Sequence, residues 1–270
     1  MNESSPIPGA GQDRSGAMTE AFLGVGVALV TIFGDDGEID PGATSKLAAD
    51  LVTRGMRAVL VCGSTGEAAT LTEPERVTLI EAVRGAVPPG IPVIAGTGAP
   101  SARQAAALTA DAVRAGADVM LAFPPPGSRD LAGYYEAVAG AAGDRPVLAY
   151  HFPRISAPGV PVEALAGLPV AGVKDSSGDP DRLLEELAHY QGATYVGSSA
   201  VLSLAGPMGA AGAILALANI EPERCVAAFA GDAAAQLALA DRHLEARRGG
   251  PAVLKKVLAA EQGTPAGMRQ

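Results

Sequence analysis

The stretch VAGVKD at residues 170–175 is a short apolar run that ends in a lysine and an aspartate. It is one of eight apolar runs that recur along the chain and are separated by segments with helical patterns. None of them alternates apolar with polar residues, as a half-solvated antiparallel strand would. Continuous apolar strands that alternate with helices are typical of a parallel sheet covered on both faces, so the sequence predicts an α/β fold.

The other seven runs share this apolar character. They are FLGVGVALVTIF (22–33), RAVLVCG (57–63), IPVIAGTG (91–98), ADVMLAFP (117–124), RPVLAYHF (145–152), ATYVGS (193–198) and AGAILALAN (211–219). The segments between them carry helix signals, among them a capping-box pattern formed by Thr72 and Glu75. Eight strand–helix units without a linker predict a single (β/α)8 TIM barrel.

An open doubly wound sheet is the alternative architecture. Its only candidate phosphate-binding pattern, GVGVALV at 24–30, lacks the third glycine and lies inside a predicted strand. The sequence therefore favours a barrel core over residues 21–220. Residues 1–20 are predicted to be a flexible extension, and residues 221–270 to hold the last barrel helix and a C-terminal helical segment.

The composition narrows the classes of function. A net charge of −9 repels phosphate backbones, so nucleic acid is not an expected partner. No run approaches the ~20 apolar residues that a membrane span requires, which predicts no membrane association. Cys62 and Cys225 lie in separate apolar segments, and residues 1–20 lack the features of a signal peptide. These observations predict free buried thiols and a cytoplasmic location.

The barrel prediction assigns chemistry to the carboxyl ends of the strands. Lys174 ends the sixth run. Burial disfavours the ammonium form of a lysine, and a neutral amine is what Schiff-base formation with a ketone requires. The alternative is a lysine that extends outward and pairs with Asp175.

Two further strand ends carry suitable polar groups. Tyr150 ends the fifth run, and neighbouring strands lie about 5 Å apart, so its phenol can reach Lys174 and pass protons. GSTGE at 63–67 combines two glycines with two hydroxyl side chains and can hold a small carboxylate. Glu67 is predicted to tie this loop to a neighbouring backbone.

The remaining candidates for chemistry do not form a site. The three histidines do not cluster, and no spacing of His, Cys, Asp or Glu matches a metal site, so no metal is predicted. Ser199 lacks the G-x-S-x-G turn of a hydrolase, which argues against a triad with His151.

Taken in order, these motifs resemble the dihydrodipicolinate synthase/N-acetylneuraminate lyase superfamily, whose members are class I pyruvate aldolases and lyases on a (β/α)8 barrel. The resemblance runs from about Phe22 to Arg269. It rests on GSTGE (63–67), LTEPER (71–76), AGAD (115–118), YHFP (150–153), GVKD (172–175) and GAILALAN (212–219).

The resemblance implies roles for individual residues. Lys174 would form a Schiff base with pyruvate, and Tyr150 would relay protons, linked to the hydroxyl of Thr65 or Ser64. No metal or organic cofactor would be needed, because the lysine itself provides the electron sink. The implied substrate-binding residues are Ser64, Thr65, Gly197 and Ile214. A small 2-oxo acid is the implied partner, and a homodimer or homotetramer the implied assembly.

Three positions depart from the family pattern. Synthases of this superfamily usually carry an arginine five residues after the relay tyrosine, where this chain has Ile155, with Arg154 one position earlier. Many members place a tyrosine in the loop after strand four, where this chain has Pro124–Pro126. Members usually continue past the position where this chain ends, at Gln270, which predicts an incomplete C-terminal helical segment.

Three functions follow as hypotheses. The KDSSGD stretch at 174–179 is closer to the 4-hydroxy-2-oxoglutarate aldolase branch, which favours an aldolase or lyase with pyruvate as the imine-bound partner. The alternative within the family is a 4-hydroxy-tetrahydrodipicolinate synthase that condenses pyruvate with aspartate semialdehyde. The alternative of another class is a catalytically weak 2-oxo-acid-binding protein.

Overall fold

The computed structural model describes residues 20–269 and contains eight strands, each short and almost wholly buried. They are β1 (Gly24–Ala28), β2 (Val59–Val61), β3 (Val93–Gly96), β4 (Val119–Ala122), β5 (Val147–His151), β6 (Gly172–Asp175), β7 (Ala193–Val196) and β8 (Gly212–Leu215). All are parallel and pair in chain order, and β8 pairs with β1 to close the barrel. The predicted (β/α)8 barrel is confirmed. The extension predicted for residues 1–20 lies, apart from Glu20, outside the described residues.

Helices follow the strands around the barrel. They are α1 (Pro41–Thr53), α2 (Glu73–Ala86), α3 (Ala102–Arg114), α4 (Leu131–Ala142), α5 (Val162–Leu165), α6 (Pro180–His189), α7 (Leu202–Ala205), α8 (Pro222–Phe229), α9 (Ala233–Ala238), α10 (Ala240–Gly249) and α11 (Pro251–Gln262). Short 3₁₀ turns occupy Ser64–Gly66, Ala68–Thr70 and Leu217–Asn219.

The predicted capping box at the start of α2 is formed. The Thr72 backbone N–H donates to Glu75 at 2.7 Å, and the Glu75 backbone N–H donates to the Thr72 hydroxyl at 3.4 Å. These bonds satisfy donors that the first turn of a helix leaves without partners, which fixes where α2 begins.

The core has two layers because each strand alternates its side chains between two faces. One apolar cluster fills the barrel and includes Leu60, Ile94 and Ile214. The other fills the space between strands and helices and includes Val59, Val61 and Leu215. Burial on both faces explains why the strands read as continuous apolar runs.

The turn after β8 connects the barrel to the C-terminal helices. Asn219 donates to the Ala28 carbonyl at 2.7 Å and accepts from the Val30 N–H at 3.1 Å, so it locks this turn onto the end of β1. Helices α10 and α11 both contact the same turn. They therefore lie beside the mouth formed by the carboxyl ends of the strands.

Two further predictions concern the cysteines and membrane-spanning segments. Cys62 and Cys225 are free and buried, as predicted, and burial raises the pKa of Cys62 to about 12. Within residues 20–269, none of the helices combines the length and apolar character of a membrane span.

Candidate active site

Lys174 and Tyr150 lie side by side at the mouth of the barrel. They are register partners in the parallel pair of β5 and β6, so their side chains leave the sheet on the same face. Lys174 Nζ lies 4.5 Å from the centroid of the Tyr150 ring. Only 3% of Lys174 and 5% of Tyr150 is exposed, so the amine and the phenol share a nearly enclosed space.

Lys174 does not pair with Asp175, which was the alternative interpretation of this lysine. Consecutive strand residues point to opposite faces. The Asp175 carboxylate accepts from the Ser177 N–H at 2.8 Å and from its hydroxyl at 2.9 Å, and Arg182 Nε lies 3.8 Å away. Among residues 20–269, no carboxylate lies within ion-pair distance of Lys174.

Tyr150 contacts Ser176 rather than the predicted hydroxyls. Ser176 donates to the Tyr150 phenol at 3.4 Å, whereas neither Thr65 nor Ser64 hydrogen-bonds with it in the described chain. Ser176 lies two residues beyond Lys174 and therefore on the same side of the chain, a spacing that could have identified it. The link from GSTGE to Tyr150 that the resemblance implies is therefore not among the hydrogen bonds of the described residues.

Gly197, at the end of β7, makes room for these groups. A Cβ atom built at this position would lie 1.9 Å from the Ser176 hydroxyl and 3.1 Å from Lys174 Cε. The first distance is far inside van der Waals contact, so any larger residue would displace Ser176 or the lysine. The requirement for glycine is therefore one of space.

A cavity of about 550 Å³ brings the predicted residues together. Its lining includes all six of them, namely Ser64, Thr65, Tyr150, Lys174, Gly197 and Ile214. The Ser64 hydroxyl is buried and has no hydrogen-bond partner among the described residues. A buried hydroxyl without a partner costs free energy unless a ligand supplies one, so this atom is suited to hold a bound oxygen.

The GSTGE loop has a strained backbone at both ends. Cys62 and Glu67 each adopt φ of 55°, a left-handed conformation that side chains other than glycine rarely take. Such conformations persist only where surrounding contacts impose them, and they cluster at functional sites. For Glu67, the contacts that hold this conformation come from the far end of the chain.

Glu67 is anchored by what we call the C-terminal clamp, formed by Lys255 and Arg269. Lys255 Nζ donates to Glu67 Oε1 at 2.5 Å, and both side chains are wholly buried. The Arg269 backbone N–H donates to Glu67 Oε2 at 2.9 Å, so the prediction that Glu67 ties its loop to a neighbouring backbone is confirmed. Lys255 lies on α11 and is a second buried lysine.

The two loops that depart from the family pattern, at Arg154–Ile155 and at Pro124–Pro126, differ in what they contribute to the cavity. Arg154 and Ile155 both line the cavity, so the shift of one residue does not remove the guanidinium from it. The prolines supply no hydroxyl, and the nearby Tyr134 does not replace one, because its phenol donates to the Phe123 carbonyl at 2.8 Å. Phe123 instead packs edge-on against Tyr150, with 6.1 Å between ring centroids.

The contribution of α10 to the cavity was not predicted from the sequence. His243 and Arg247 of this helix line the cavity, with Pro251 and Leu254 from the next helix. Their spacing is that of one helical face, a signal visible in the sequence. It could not be used, because nothing local indicates that this face covers the barrel mouth.

A buried charged cluster lies behind Lys174, on the other side of β6. Arg182 Nη2 lies 2.9 Å from Glu186 Oε1, but neither Glu186 oxygen has an aligned hydrogen bond among the described residues. Burial, with a smaller contribution from the charge of Asp175, raises the pKa of Glu186 to about 8, and the charge of Arg182 opposes the shift. Burial also lowers the pKa of nearby His151.

Known proteins match this chain over most of its length. The model of the dihydrodipicolinate synthetase family matches residues 21–250. The 4-hydroxy-tetrahydrodipicolinate synthase of Salinibacter ruber is 35% identical over 236 residues, which cover 83% of this chain and 78% of that protein.

Solved structures of dihydrodipicolinate synthases also align with most of this chain. The chloride-inhibited dihydrodipicolinate synthase from Acinetobacter baumannii, complexed with pyruvate, aligns with a TM-score of 0.83 at 27% identity, covering 93% of this chain and 92% of that one. A structure described as the first monomeric dihydrodipicolinate synthase variant gives a TM-score of 0.83 at 25% identity, covering 92% and 90%.

A (β/α)8 barrel with a buried lysine beside a tyrosine defines a class of protein, the class I aldolases and lyases that handle pyruvate. Within that class, the chain belongs to the dihydrodipicolinate synthetase family, and it is a lyase of that family. Enzymes of this family form a Schiff base between a lysine and pyruvate and need no metal or other cofactor.

Removing the cation of the C-terminal clamp should destabilise the protein. Lys255→Met leaves the Glu67 carboxylate buried without its lysine, and we expect the free energy of unfolding to fall by about 3–5 kcal/mol. Lys256→Met, at the next and exposed position of α11, is the matched control and should change it by less than about 0.5 kcal/mol. Urea unfolding of both variants measures the difference, and equal losses would contradict the clamp.

The raised pKa of Glu186 predicts how stability depends on pH. The folded state holds this proton up to about pH 8, whereas the unfolded chain releases it near pH 4.5. Stability from this group is therefore fully present below about pH 4.5 and declines as the pH rises to about 8. Glu186→Gln should flatten that decline, seen as melting temperatures between pH 5 and 8.

Glu185→Gln, at the exposed neighbouring position, is the control and should follow the wild type across this range. A Glu186→Gln variant that also follows the wild type would contradict the raised pKa.

Proposed function

We propose that Lys174 is the Schiff-base nucleophile of a pyruvate-handling aldolase and that Tyr150 relays its protons. The observation that carries this proposal is the position of Lys174: buried, beside a phenol, and at the end of a cavity large enough for a small acid. A buried amine without a carboxylate partner among residues 20–269 is unfavourable for structure alone. It is favourable for nucleophilic attack on a carbonyl carbon.

The first chemical stage forms the imine. The Lys174 amine attacks C2 of the 2-oxo acid, and the carbonyl oxygen takes up a proton to give a carbinolamine. Loss of that oxygen as water leaves a protonated imine. Tyr150, whose phenol accepts from the Ser176 hydroxyl, is the group beside the amine that can deliver and recover these protons.

Substrate binding in this proposal uses the GSTGE loop. The Ser64 hydroxyl, buried without a partner in the described chain, and the Thr65 hydroxyl would hold the carboxylate next to C2. Gly197 and Ile214 would bound the space around the imine. The C-terminal clamp keeps the loop in its strained conformation before substrate arrives, which lowers the cost of binding.

The second stage breaks or makes a carbon–carbon bond. In the cleavage direction, the C4 hydroxyl of an imine-bound 4-hydroxy-2-oxo acid loses its proton and the C3–C4 bond breaks. The bonding electrons move to the imine to give an enamine, and C4 leaves as an aldehyde. Protonation of the enamine at C3 and addition of water then release pyruvate and regenerate the amine of Lys174.

The substrate we propose is a 4-hydroxy-2-oxo acid of the 4-hydroxy-2-oxoglutarate type. The likeness of the KDSSGD stretch to the 4-hydroxy-2-oxoglutarate aldolase branch supports this choice. Condensation of pyruvate with aspartate semialdehyde is the second candidate. It is supported by the relative from Salinibacter ruber, which is named for that synthase activity. Homo-oligomerisation and a cytoplasmic location stay predictions.

Trapping with borohydride tests the nucleophile. Incubation with pyruvate followed by reduction should give a covalent adduct, which peptide mass spectrometry should locate on Lys174. Lys174→Gln should give none, and Lys256→Met should label like the wild type. A wild-type protein without an adduct on Lys174 would overturn the proposal.

An adduct without turnover of 4-hydroxy-2-oxo acids or of aspartate semialdehyde would identify the catalytically weak binding protein instead. Release of pyruvate and consumption of the semialdehyde, measured separately, distinguish the two catalytic candidates.

Removing the Tyr150 hydroxyl should slow the proton transfers. Tyr150→Phe keeps the ring packing against Phe123 but removes the relay, so we expect imine formation and turnover to fall about 100-fold or more. Equilibrium binding of pyruvate, followed by calorimetry, should change much less because the carboxylate contacts remain. Unchanged rates in this variant would exclude Tyr150 from the relay.

A further inference from the structure

The cavity that holds Lys174 is cationic although the protein is acidic. The chain carries a net charge of −9, with 29 acidic residues. Yet the described lining of the cavity includes no aspartate or glutamate, while two arginines, Arg154 and Arg247, contribute to it. Such a charge distribution focuses an attractive potential for anions on one cleft.

The carboxylate of pyruvate does not account for both arginines. It is assigned to the hydroxyls of the GSTGE loop, which hold an oxygen without any cation. Within residues 20–269, neither Arg154 nor Arg247 has a carboxylate within ion-pair distance. By contrast, Arg242 on the same helix is paired with Glu245 at 3.1 Å. Guanidinium groups available at this mouth fit a second anionic group on the ligand.

Arg247 is held on a rigid support. His243, one turn earlier on α10, forms a 2.8 Å hydrogen bond through Nδ1 with the Ser199 hydroxyl. Gln236 donates to the Ser199 carbonyl at 2.8 Å. Ser199 lies two residues after Gly197, the residue that packs against Lys174. The hydrogen bonds therefore attach α9, through Gln236, and α10, through His243, to the loop beside the candidate nucleophile.

The electrostatics agree with this geometry. Burial, and then the charge of Arg247, lowers the pKa of His243. Ala246 and Gly250, close to Arg247 in the chain, are small residues that also line the cavity.

We propose that Arg247 binds a second anionic group, a carboxylate or phosphate, at the distal end of the 2-oxo acid, and thereby selects the substrate. The inference rests on the proposed function, since it takes the reacting end of the ligand to be at Lys174. It goes further by assigning specificity to a C-terminal helix outside the barrel. Arg154 is the less suitable residue because it lies in the irregular segment after β5, whereas Arg247 lies on a helix that His243 ties to Ser199.

Three probes that differ only at the distal end test the assignment. They are 2-oxopentanoate, 2-oxoglutarate and 2-oxo-4-phosphonobutanoate, which end in a methyl group, a carboxylate and a phosphonate. Each is trapped on the full-length protein with borohydride, and the concentration for half-maximal labelling of Lys174 is measured. We expect one or both anionic probes to label at roughly tenfold lower concentration than 2-oxopentanoate, since charge-assisted hydrogen bonds have this magnitude. The better anionic probe identifies the group.

Substitution of the arginine should remove the preference. Arg247→Gln should raise the half-maximal concentration for the preferred anionic probe about tenfold and leave that for 2-oxopentanoate unchanged. Arg247→Lys should keep part of the preference because the charge remains. Arg248→Gln is the matched control: it removes the same charge from the next residue, which is exposed and does not line the cavity.

The possible failures can be told apart. If the wild type labels with all three probes equally, or if Arg247→Gln affects the methyl and anionic probes alike, the assignment of Arg247 is overturned while the Schiff base stands. If no probe labels Lys174, the proposed function fails. Calorimetry with 2-oxoglutarate and 2-oxopentanoate on the wild type and on Arg247→Gln then still decides whether this arginine binds the distal carboxylate.

Discussion

The parallel pairing of β5 with β6 puts Tyr150 directly beside Lys174, and the rest of the site depends on this register. A slip of one residue would turn Asp175 into the barrel mouth and Lys174 toward the helices. Closure of the sheet through β1 and β8 opposes such a slip, because every strand is paired on both sides. The register therefore decides which side of β6 carries the amine and which carries the charged cluster of Asp175, Arg182 and Glu186.

The two buried lysines differ in whether they have a charged partner. Lys255 forms an ion pair with Glu67, and this pair anchors the strained GSTGE loop. Lys174 has no carboxylate within ion-pair distance in the described chain and faces a cavity. An ion pair that satisfies a buried ammonium makes it a poor nucleophile, whereas an amine beside a phenol can exchange its proton. One lysine thus positions the loop that would bind the carboxylate, and the other is the nucleophile that we propose.

The arrangement divides the molecule into two functional parts. The barrel supplies the amine, the phenol and the hydroxyls, all from strand ends that cannot move independently. The segment after β8 supplies the C-terminal clamp, and its helix α10 contributes His243 and Arg247 to the lining of the cavity. If Arg247 selects the substrate as we propose, changes in α10 would alter what the cavity accepts without disturbing the register of the strands. This separation is consistent with a family that keeps one imine chemistry and varies the second substrate.

The sequence by itself determined the barrel, the order of its strands and the strand ends that carry Lys174, Tyr150 and GSTGE, because these features are periodic or local. The capping box of α2 was also predictable from neighbouring residues, whereas the backbone that Glu67 binds, at Arg269, was not. Only the tertiary structure decided that Ser176 contacts Tyr150, that Lys255 is buried, and that α10 covers the cavity. Those contacts join residues as much as 188 positions apart, as in Lys255–Glu67, and their geometry follows from packing that no local pattern encodes.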